Sequence, residues 1–250
     1  IMYVNPIPCL TDNYAYIIND NVTKTIGVVD PSEASPIITY LKKLNLQKGD
    51  RVAAYVPNKI ESIVCFLACA KNGIIWSSCS PDFGVEGVVD RFGQIEPKVL
   101  FTADGYYYKG RTFDSLEKVD EIVRSIPSIQ KVVVANYVGV DADTTLASRS
   151  ADKFVSLTHI LDSSKARTIE FEQVPFDHPL YIMYSSGTTG RPKCIVHGVG
   201  GTLIEHLKEL VLHTDLTRDD RITYVTTCGW MMWNWLVSSL ATGATVVLYD

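Results

Sequence analysis

Residues 180–193 read LYIMYSSGTTGRPK, an apolar strand-like run that opens into a loop of small, hydroxylated and cationic residues. From Ser185 to Lys193 the loop carries two glycines, four Ser/Thr hydroxyls and two cations. Gly187 and Gly190 let the backbone turn so that successive N–H groups converge on an anion with no side chain in the way. The hydroxyls of Ser185, Ser186, Thr188 and Thr189 can donate to phosphate oxygens, and Arg191 and Lys193 supply positive charge. A polyphosphate suits this chemistry. The spacing differs from that of a P-loop, in which Lys directly follows Gly and precedes Ser or Thr; here Pro192 stands before Lys193. Composition alone leaves a plainer reading open, that of an ordinary Gly/Ser/Thr-rich turn between strands.

Outward from the loop, strand-like and helix-like segments alternate. Upstream, RVAAYVP (51–57) reads as a strand, and KIESIVCFLACAKNG (59–73) sets Ile60, Ile63, Val64, Leu67 and Ala68 at helical spacing before a terminating glycine. IIWSSCS and KVLFTAD are further short apolar runs, with PDFGVEGVVDRFGQIEP between them as a helix, and RTFDSLEKVDEIVRSIP precedes QKVVVANY in the same rhythm. DADTTLASRSADKF (141–154) reads as a loop or short helix joining two halves. Downstream of the glycine loop come a helix over 200–213, the strand RITYVTT, the segment CGWMMWNWLVSSLATG and the strand ATVVLYD. This order predicts an α/β fold with a largely parallel sheet flanked by helices.

With 250 residues, 46% of them hydrophobic, the chain is long enough to bury a substantial core. A net charge of -5 with no long basic run argues against a nucleic-acid partner. No stretch approaches the roughly 18 consecutive apolar residues of a membrane span, and IMYVNPIPCL lacks the regions of a secretory signal. The expectation is a soluble, cytoplasmic protein without a membrane partner. Its six scattered cysteines are expected as free thiols, with Cys65 and Cys69 four apart on one helix face as core residues. Five histidines, none before His159, give no expected metal site.

YSSGTTGRPK resembles the phosphate-binding signature of the adenylate-forming (AMP-binding) superfamily, the acyl-CoA synthetases and their relatives. GDRVAAYVPN, GIIWSSCSPDFGVEGVVDRFGQIEPKVLFTADGYYYKG, PKCIVHGVGGTLIEHLKELVLHTDL and TTCGWMMWNWLVSSLATGATVVLYD extend the likeness to the acetoacetate–CoA ligase branch from about Lys48 to Asp250. Cys194 agrees, since that branch has Cys where most of the superfamily has Gly. The resemblance implies part of an AMP-binding N-terminal domain over 48–250, with ATP, Mg2+ and coenzyme A as co-substrates and a short-chain oxo acid as substrate. It places the β- and γ-phosphates on Ser185, Ser186, Gly187, Thr188, Thr189, Gly190, Arg191 and Lys193. It puts Trp230, Met231, Met232 and Trp233 beside the acyl pocket, although an apolar aromatic helix is also ordinary core. His197 is expected to pack and support the loop rather than transfer protons. DGYYYKG reads either as an aromatic stacking surface or as a turn.

Residues 1–47 resemble instead the start of the glyoxalase II family in IPCLTDNYAYII and GVVDPSEASPII. That implies a short β-rich, metallo-β-lactamase-like segment of three strands and a helix over 35–44. The His-rich metal motif of that family does not follow; KGDRVAAYVPN stands in its place. Three readings result. One is an ATP-dependent acid–thiol ligase of the acetoacetate–CoA type, present as a fragment unable to complete catalysis alone. Another is a catalytically silent chain with weak phosphate binding, self-associating through incomplete sheet edges. The last is a hydroxyacylglutathione hydrolase-like thioesterase, which lacks its histidines. The resemblance identifies no catalytic residue within the chain.

Overall fold

A computed structural model of the protein describes residues 2–9, 13–20, 25–29, 34–139, 152–162, 171–185 and 190–249. In chain order its first elements are β1 (Met2–Cys9), β2 (Asn13–Asp20), β3 (Thr25–Val29), α1 (Ala34–Lys43), β4 (Arg51–Tyr55), α2 (Ile60–Lys71), β5 (Ile75–Cys79) and α3 (Val85–Phe92). Next come β6 (Val99–Ala103), β7 (Gly105–Tyr108), β8 (Arg111–Asp114), α4 (Leu116–Ser125), β9 (Lys131–Ala135), β10 (Phe154–Ser156), α5 (Leu157–Asp162), β11 (Pro179–Tyr184) and β12 (Cys194–Gly198). The last are α6 (Val199–Leu207), which runs on as a π-helical turn over Lys208–His213, then β13 (Arg221–Ile222), α7 (Met231–Ser238) and β14 (Thr245–Leu248).

Among the described residues the central sheet has seven strands in the order β10-β9-β6-β4-β5-β11-β12, and every neighbouring pair is parallel except β11 with β12. The largely parallel α/β sheet expected from the alternation of segments is therefore present. Its inner strands are apolar almost without interruption because both faces are covered: β5 and β6 are buried at every position. Successive side chains alternate between two cores. Val52, Ala54, Val99, Phe101 and Val133 face α1, α2, α5 and α7, where Leu41, Phe66, Leu157 and Trp233 meet them. Ala53, Tyr55, Leu100, Val132 and Val134 face α3 and α4, meeting Val88, Phe92, Val119 and Ile122.

Phe66 of α2 organises the first core. Its ring centroid lies 5.8 Å from Trp76, 6.2 Å from Tyr181 and 5.9 Å from Trp233. Trp233 is fully buried, and its Nε1–H donates to Asn58 Oδ1 at 2.9 Å, which satisfies its one polar atom. The buried thiols of Cys65 and Cys69 lie in this same core, as their spacing predicts.

Two local features differ from the sequence expectation, and a third, DGYYYKG, is settled among its alternatives. RITYVTT pairs only at Arg221–Ile222, because Tyr224 and Val225 beyond it are exposed, at 44% and 80%, and turn toward a cleft. The helix expected over 200–213 loses α geometry at Lys208 and finishes as a π turn. DGYYYKGRTFD forms the hairpin β7–β8, turning at Lys109 (φ 49°) and Gly110 (φ 73°), the two consecutive positive-φ residues that a primed hairpin turn needs. The linker 141–154 lies outside the described residues except for its last three.

Of the N-terminal segment, β1 to β3 form an antiparallel meander, and β3 pairs antiparallel with β14. Among the described residues they complete a five-stranded sheet in the order β1-β2-β3-β14-β13. The expected number of elements, three strands and a helix, is present, the helix lying over Ala34–Lys43 where 35–44 was expected.

Trp233→Ala is expected to lower the unfolding free energy by about 3–5 kcal/mol, read by urea titration. Trp230→Ala, at a side chain 60% exposed, is expected to cost about 0.5 kcal/mol or less. Equal costs would contradict the division of this tryptophan-rich stretch between core and surface.

Candidate functional site

β11 leaves the core at Tyr184, and β12 returns antiparallel from Cys194, which pairs with Tyr184. The connection between them is closed at its base by two hydrogen bonds: Ser185 N–H donates to Lys193 O at 3.0 Å, and Lys193 N–H donates to Ser185 Oγ at 3.2 Å. Ser185 therefore acts through its hydroxyl at the neck of the loop. Gly190 has φ 93° with open space where a Cβ would stand, so the left-handed backbone and not crowding selects glycine there. Ser186, Gly187, Thr188 and Thr189 lie outside the described residues.

The outgoing leg of the loop rests on the C-terminal end of α3. Gln94 Nε2 donates to Pro192 O at 2.9 Å, and Cys194 Sγ lies 3.7 Å from Gln94 Oε1. Arg191 Nε stands 3.4 Å from Asp90 Oδ1, with the Arg191 side chain 76% exposed. A pair so exposed contributes little to stability, so the guanidinium can exchange Asp90 for a phosphate oxygen at small cost. Lys193 is exposed on the same strand end. Behind the loop, the Ser77 hydroxyl donates to Ile182 O at 2.8 Å and lies 3.1 Å from the Tyr184 hydroxyl. Burial holds the Tyr184 phenol well above its ordinary range, and the Arg91 guanidinium sits between the Phe83 and Tyr184 rings at 4.7 and 5.9 Å.

Because β5, β6 and β11 run parallel, their C-terminal ends share one edge of the sheet. That is where open α/β sheets take ligands. The same edge carries a cleft of about 590 Å3, lined by Ser80, Pro81 and Asp82 after β5, and by Tyr106, Tyr107 and Tyr108 of β7. Tyr224 to Thr227, Trp230, Met232 and Tyr249 complete its wall. The Tyr55 hydroxyl, 2.6 Å from Pro81 O and 2.8 Å from Phe83 O, fixes the turn after β5. Ser78 Oγ donates to Cys228 O at 2.6 Å and so ties the Trp230 segment to β5. The result is a loop neck carrying the Ser185 hydroxyl and the exposed cations Arg191 and Lys193, and an aromatic cleft, on one sheet edge, a pairing suited to a substrate with an anionic end and an organic end. Among the described residues no group of three or more His, Cys, Asp or Glu side chains is gathered as metal ligands.

Comparison with known proteins shows the family. The family described as AMP-binding enzyme matches residues 32–250. The chain belongs to that family. It is 51% identical over 213 residues to acetoacetyl-CoA synthetase of Gallus gallus, covering 84% of this chain and 32% of the relative. It is 50% identical over 212 residues to malonamoyl-CoA synthetase vrtB of Penicillium aethiopicum, covering 84% of this chain and 29% of that protein. The solved structure of acetoacetyl-CoA synthetase from Streptomyces lividans superposes with a TM-score of 0.80 at 45% identity, covering 87% of this chain and 32% of that one. The chain thus spans about a third of the length of the curated relatives it matches.

Within this AMP-binding fold the four residues of the Trp-rich stretch have separate positions. Trp230 and Met232 line the cleft, Met231 is half-buried and is not among the lining residues, and Trp233 lies in the core. His197 packs its ring 4.9 Å from that of Tyr181, and burial lowers its pKa. Burial also pushes the Tyr181 hydroxyl up to about 12. Residue spacing did not reveal the supports under the loop, Asp90 and Gln94; their i,i+4 placement on one face of α3 and its C-terminal turn was the available sign.

A second histidine, His206 of α6, is buried with Nδ1 2.7 Å from Ser238 Oγ. The Ser238 hydroxyl donates to Asn234 O at 3.0 Å, so His206 must supply the proton to Ser238 from Nδ1. Burial, and secondarily His197, holds this imidazole below its ordinary value of 6.5. The unfolded chain therefore takes up a proton that the folded one resists, and the stability present above that value is lost as pH falls below it. Thermal unfolding is expected to show a lower Tm at about pH 5 than at about pH 7.5, with a smaller drop in His206→Gln. An equal drop in both proteins would rule out His206 as a source of the acid sensitivity.

Proposed function

We propose that the chain supplies the phosphate-binding and acyl-binding parts of an ATP-dependent acid–thiol ligase of the acetoacetyl-CoA synthetase type. The observation that carries the reading is the loop of residues 185–193, closed at its neck by Ser185 and Lys193, on the same sheet edge as the aromatic cleft. The roughly 50% identity to relatives that bear this activity in their names supports it.

In the first step a carboxylate oxygen of the acid attacks the α-phosphorus of MgATP, and the bond to the bridging oxygen breaks to release pyrophosphate. Negative charge grows on the leaving group, so the residues that matter are those that meet the β- and γ-phosphates. Those are the backbone N–H groups and hydroxyls of the loop, Ser185, Ser186, Thr188 and Thr189, with Gly187 and Gly190 setting its path. Lys193 and Arg191 supply positive charge, Arg191 leaving Asp90 to do so. Magnesium enters as part of MgATP, on the phosphate oxygens. In the second step the thiol sulfur of coenzyme A attacks the carbonyl carbon of the acyl-adenylate, AMP leaves, and the thiol proton passes to solvent.

The acyl groups in the relatives' names, acetoacetyl and malonamoyl, both carry a carbonyl at C3. The substrate proposed here is accordingly a short-chain 3-oxo acid. Trp230 and Met232 present an aromatic face and a flexible thioether toward the cleft, with Trp233 holding the helix from behind. A volume of about 590 Å3 exceeds the needs of so small an acid, which leaves room for the arm of the thiol co-substrate along the Tyr106–Tyr108 wall.

Calorimetric titration of the purified chain with inorganic pyrophosphate tests the part assigned to the loop. Binding is expected in the wild-type chain and is expected to weaken by about tenfold or more in Lys193→Ala. Absence of binding, or an affinity unchanged in Lys193→Ala, would defeat the proposal.

A further inference from the structure

The hairpin β7–β8 pairs with no other strand among the described residues, forming a two-stranded sheet of its own. Such a hairpin is marginal unless something else holds it. It nevertheless supplies one wall of the cleft, with Tyr107 and Tyr108 about half exposed, at 45% and 54%. What fixes it lies at its inner end, where β6 passes into β7 through Asp104.

Asp104 is fully buried, and its backbone and side chain together join three segments. Its N–H donates to Ala135 O at the end of β9, at 3.0 Å, and its carbonyl accepts Ser115 N–H, just past β8, at 3.0 Å. One side-chain oxygen, Oδ1, accepts two successive amides, Tyr137 N–H at 2.8 Å and Val138 N–H at 3.0 Å. The second oxygen, Oδ2, and the Ser115 hydroxyl are buried without a hydrogen-bond partner among the described residues. The space around this junction is tight: a Cβ on Gly105 would stand 2.3 Å from Phe113 O and 2.6 Å from Val138 Cγ2. Residues 136–138, once held by Asp104, brace the hairpin directly, the Tyr137 ring meeting Tyr107 edge-on at 5.2 Å.

We propose that Asp104 is a positioning residue that sets the aromatic wall of the cleft: its Oδ1 holds the Tyr137–Val138 amides, and through them the Tyr106–Tyr108 strand, against the edge of the parallel sheet. The effect on ligand binding rests on the reading of the cleft given above as the path of the thiol co-substrate. The position of the hairpin does not rest on it. A buried carboxylate that accepts two amides from a segment outside any strand ties that segment down, since leaving those groups unpaired is costly. Losing it frees the hairpin while leaving β4, β5 and β6 paired.

The test uses the full chain, with hydrogen–deuterium exchange read by residue and coenzyme A binding read by calorimetry. In the wild-type chain the Tyr137 and Val138 amides are expected to exchange as slowly as those of β9. In Asp104→Ala, exchange over 105–114 and 137–138 and the apparent Kd for coenzyme A are each expected to rise about tenfold, with β4, β5 and β6 unchanged. Asp104→Asn keeps an accepting Oδ1 and is expected to restore both. Fast exchange of the two amides in the wild type, a uniform rise across the sheet in Asp104→Ala, wild-type behaviour of Asp104→Ala, or equal damage in Asp104→Asn would each overturn the proposal. If the wild-type chain does not bind coenzyme A, the assignment of the cleft fails by itself, and the exchange pattern alone decides the role of Asp104.

Discussion

The parallel pairing of β11 with β5, in register at Tyr181 and Trp76, fixes where everything functional can stand. Parallel strands bring their C-terminal ends to one edge, so the loop that follows β11 and the turn that follows β5 become neighbours without a single long connection between them. Ser77 strengthens the join by donating to the Ile182 carbonyl, and Phe66 packs on both Trp76 and Tyr181 behind it. Were β11 shifted by one residue, Tyr181 and Ile182 would exchange the cores they fill, and the loop would leave on the wrong face.

On that rigid edge the exposed contacts proposed to meet ligand are cheap to rearrange. The loop is closed by backbone and hydroxyl hydrogen bonds at its neck, while its charges are exposed and weakly paired. Arg191 gives up little in leaving Asp90. The aromatic cleft shows the same division between fixed support and adaptable surface. Tyr55, Ser78 and Asp104 hold its walls from buried positions, whereas Tyr107, Tyr108 and Trp230 face outward.

Much of this was legible in the order of residues. The apolar runs of β4, β5, β6 and β9 announced a sheet covered on both faces, and LYIMY announced the strand that leads into the glycine-and-hydroxyl loop. Long-range geometry was not legible. Nothing in GWMMWNW separates Trp230 on the cleft from Trp233 in the core; the division depends on Asn58, far away in the chain, accepting the Trp233 indole proton. DGYYYKG left a turn and a stacking surface both open, and the structure makes it a hairpin with positive φ at Lys109 and Gly110 that also lines the cleft. Nothing in KVLFTAD marks Asp104, because its partners at 137 and 138 come near only once β9 has paired with β6. The N-terminal meander showed its strands but not their neighbour: β3 finds β14 from the opposite end of the chain. The AMP-binding match begins at residue 32, so α1 falls within it although the resemblance read from the sequence began at about Lys48.

The central claim is that residues 185–193 grip a polyphosphate and not merely a nucleotide. Calorimetric titration of the chain with MgATP and, separately, with AMP tests it most directly, since the two share adenosine and the α-phosphate and differ in the groups assigned to the loop. The account predicts that MgATP binds at least about tenfold more tightly than AMP, because only MgATP offers charge-assisted hydrogen bonds to the loop. Equal affinities, or no binding of MgATP, would contradict it.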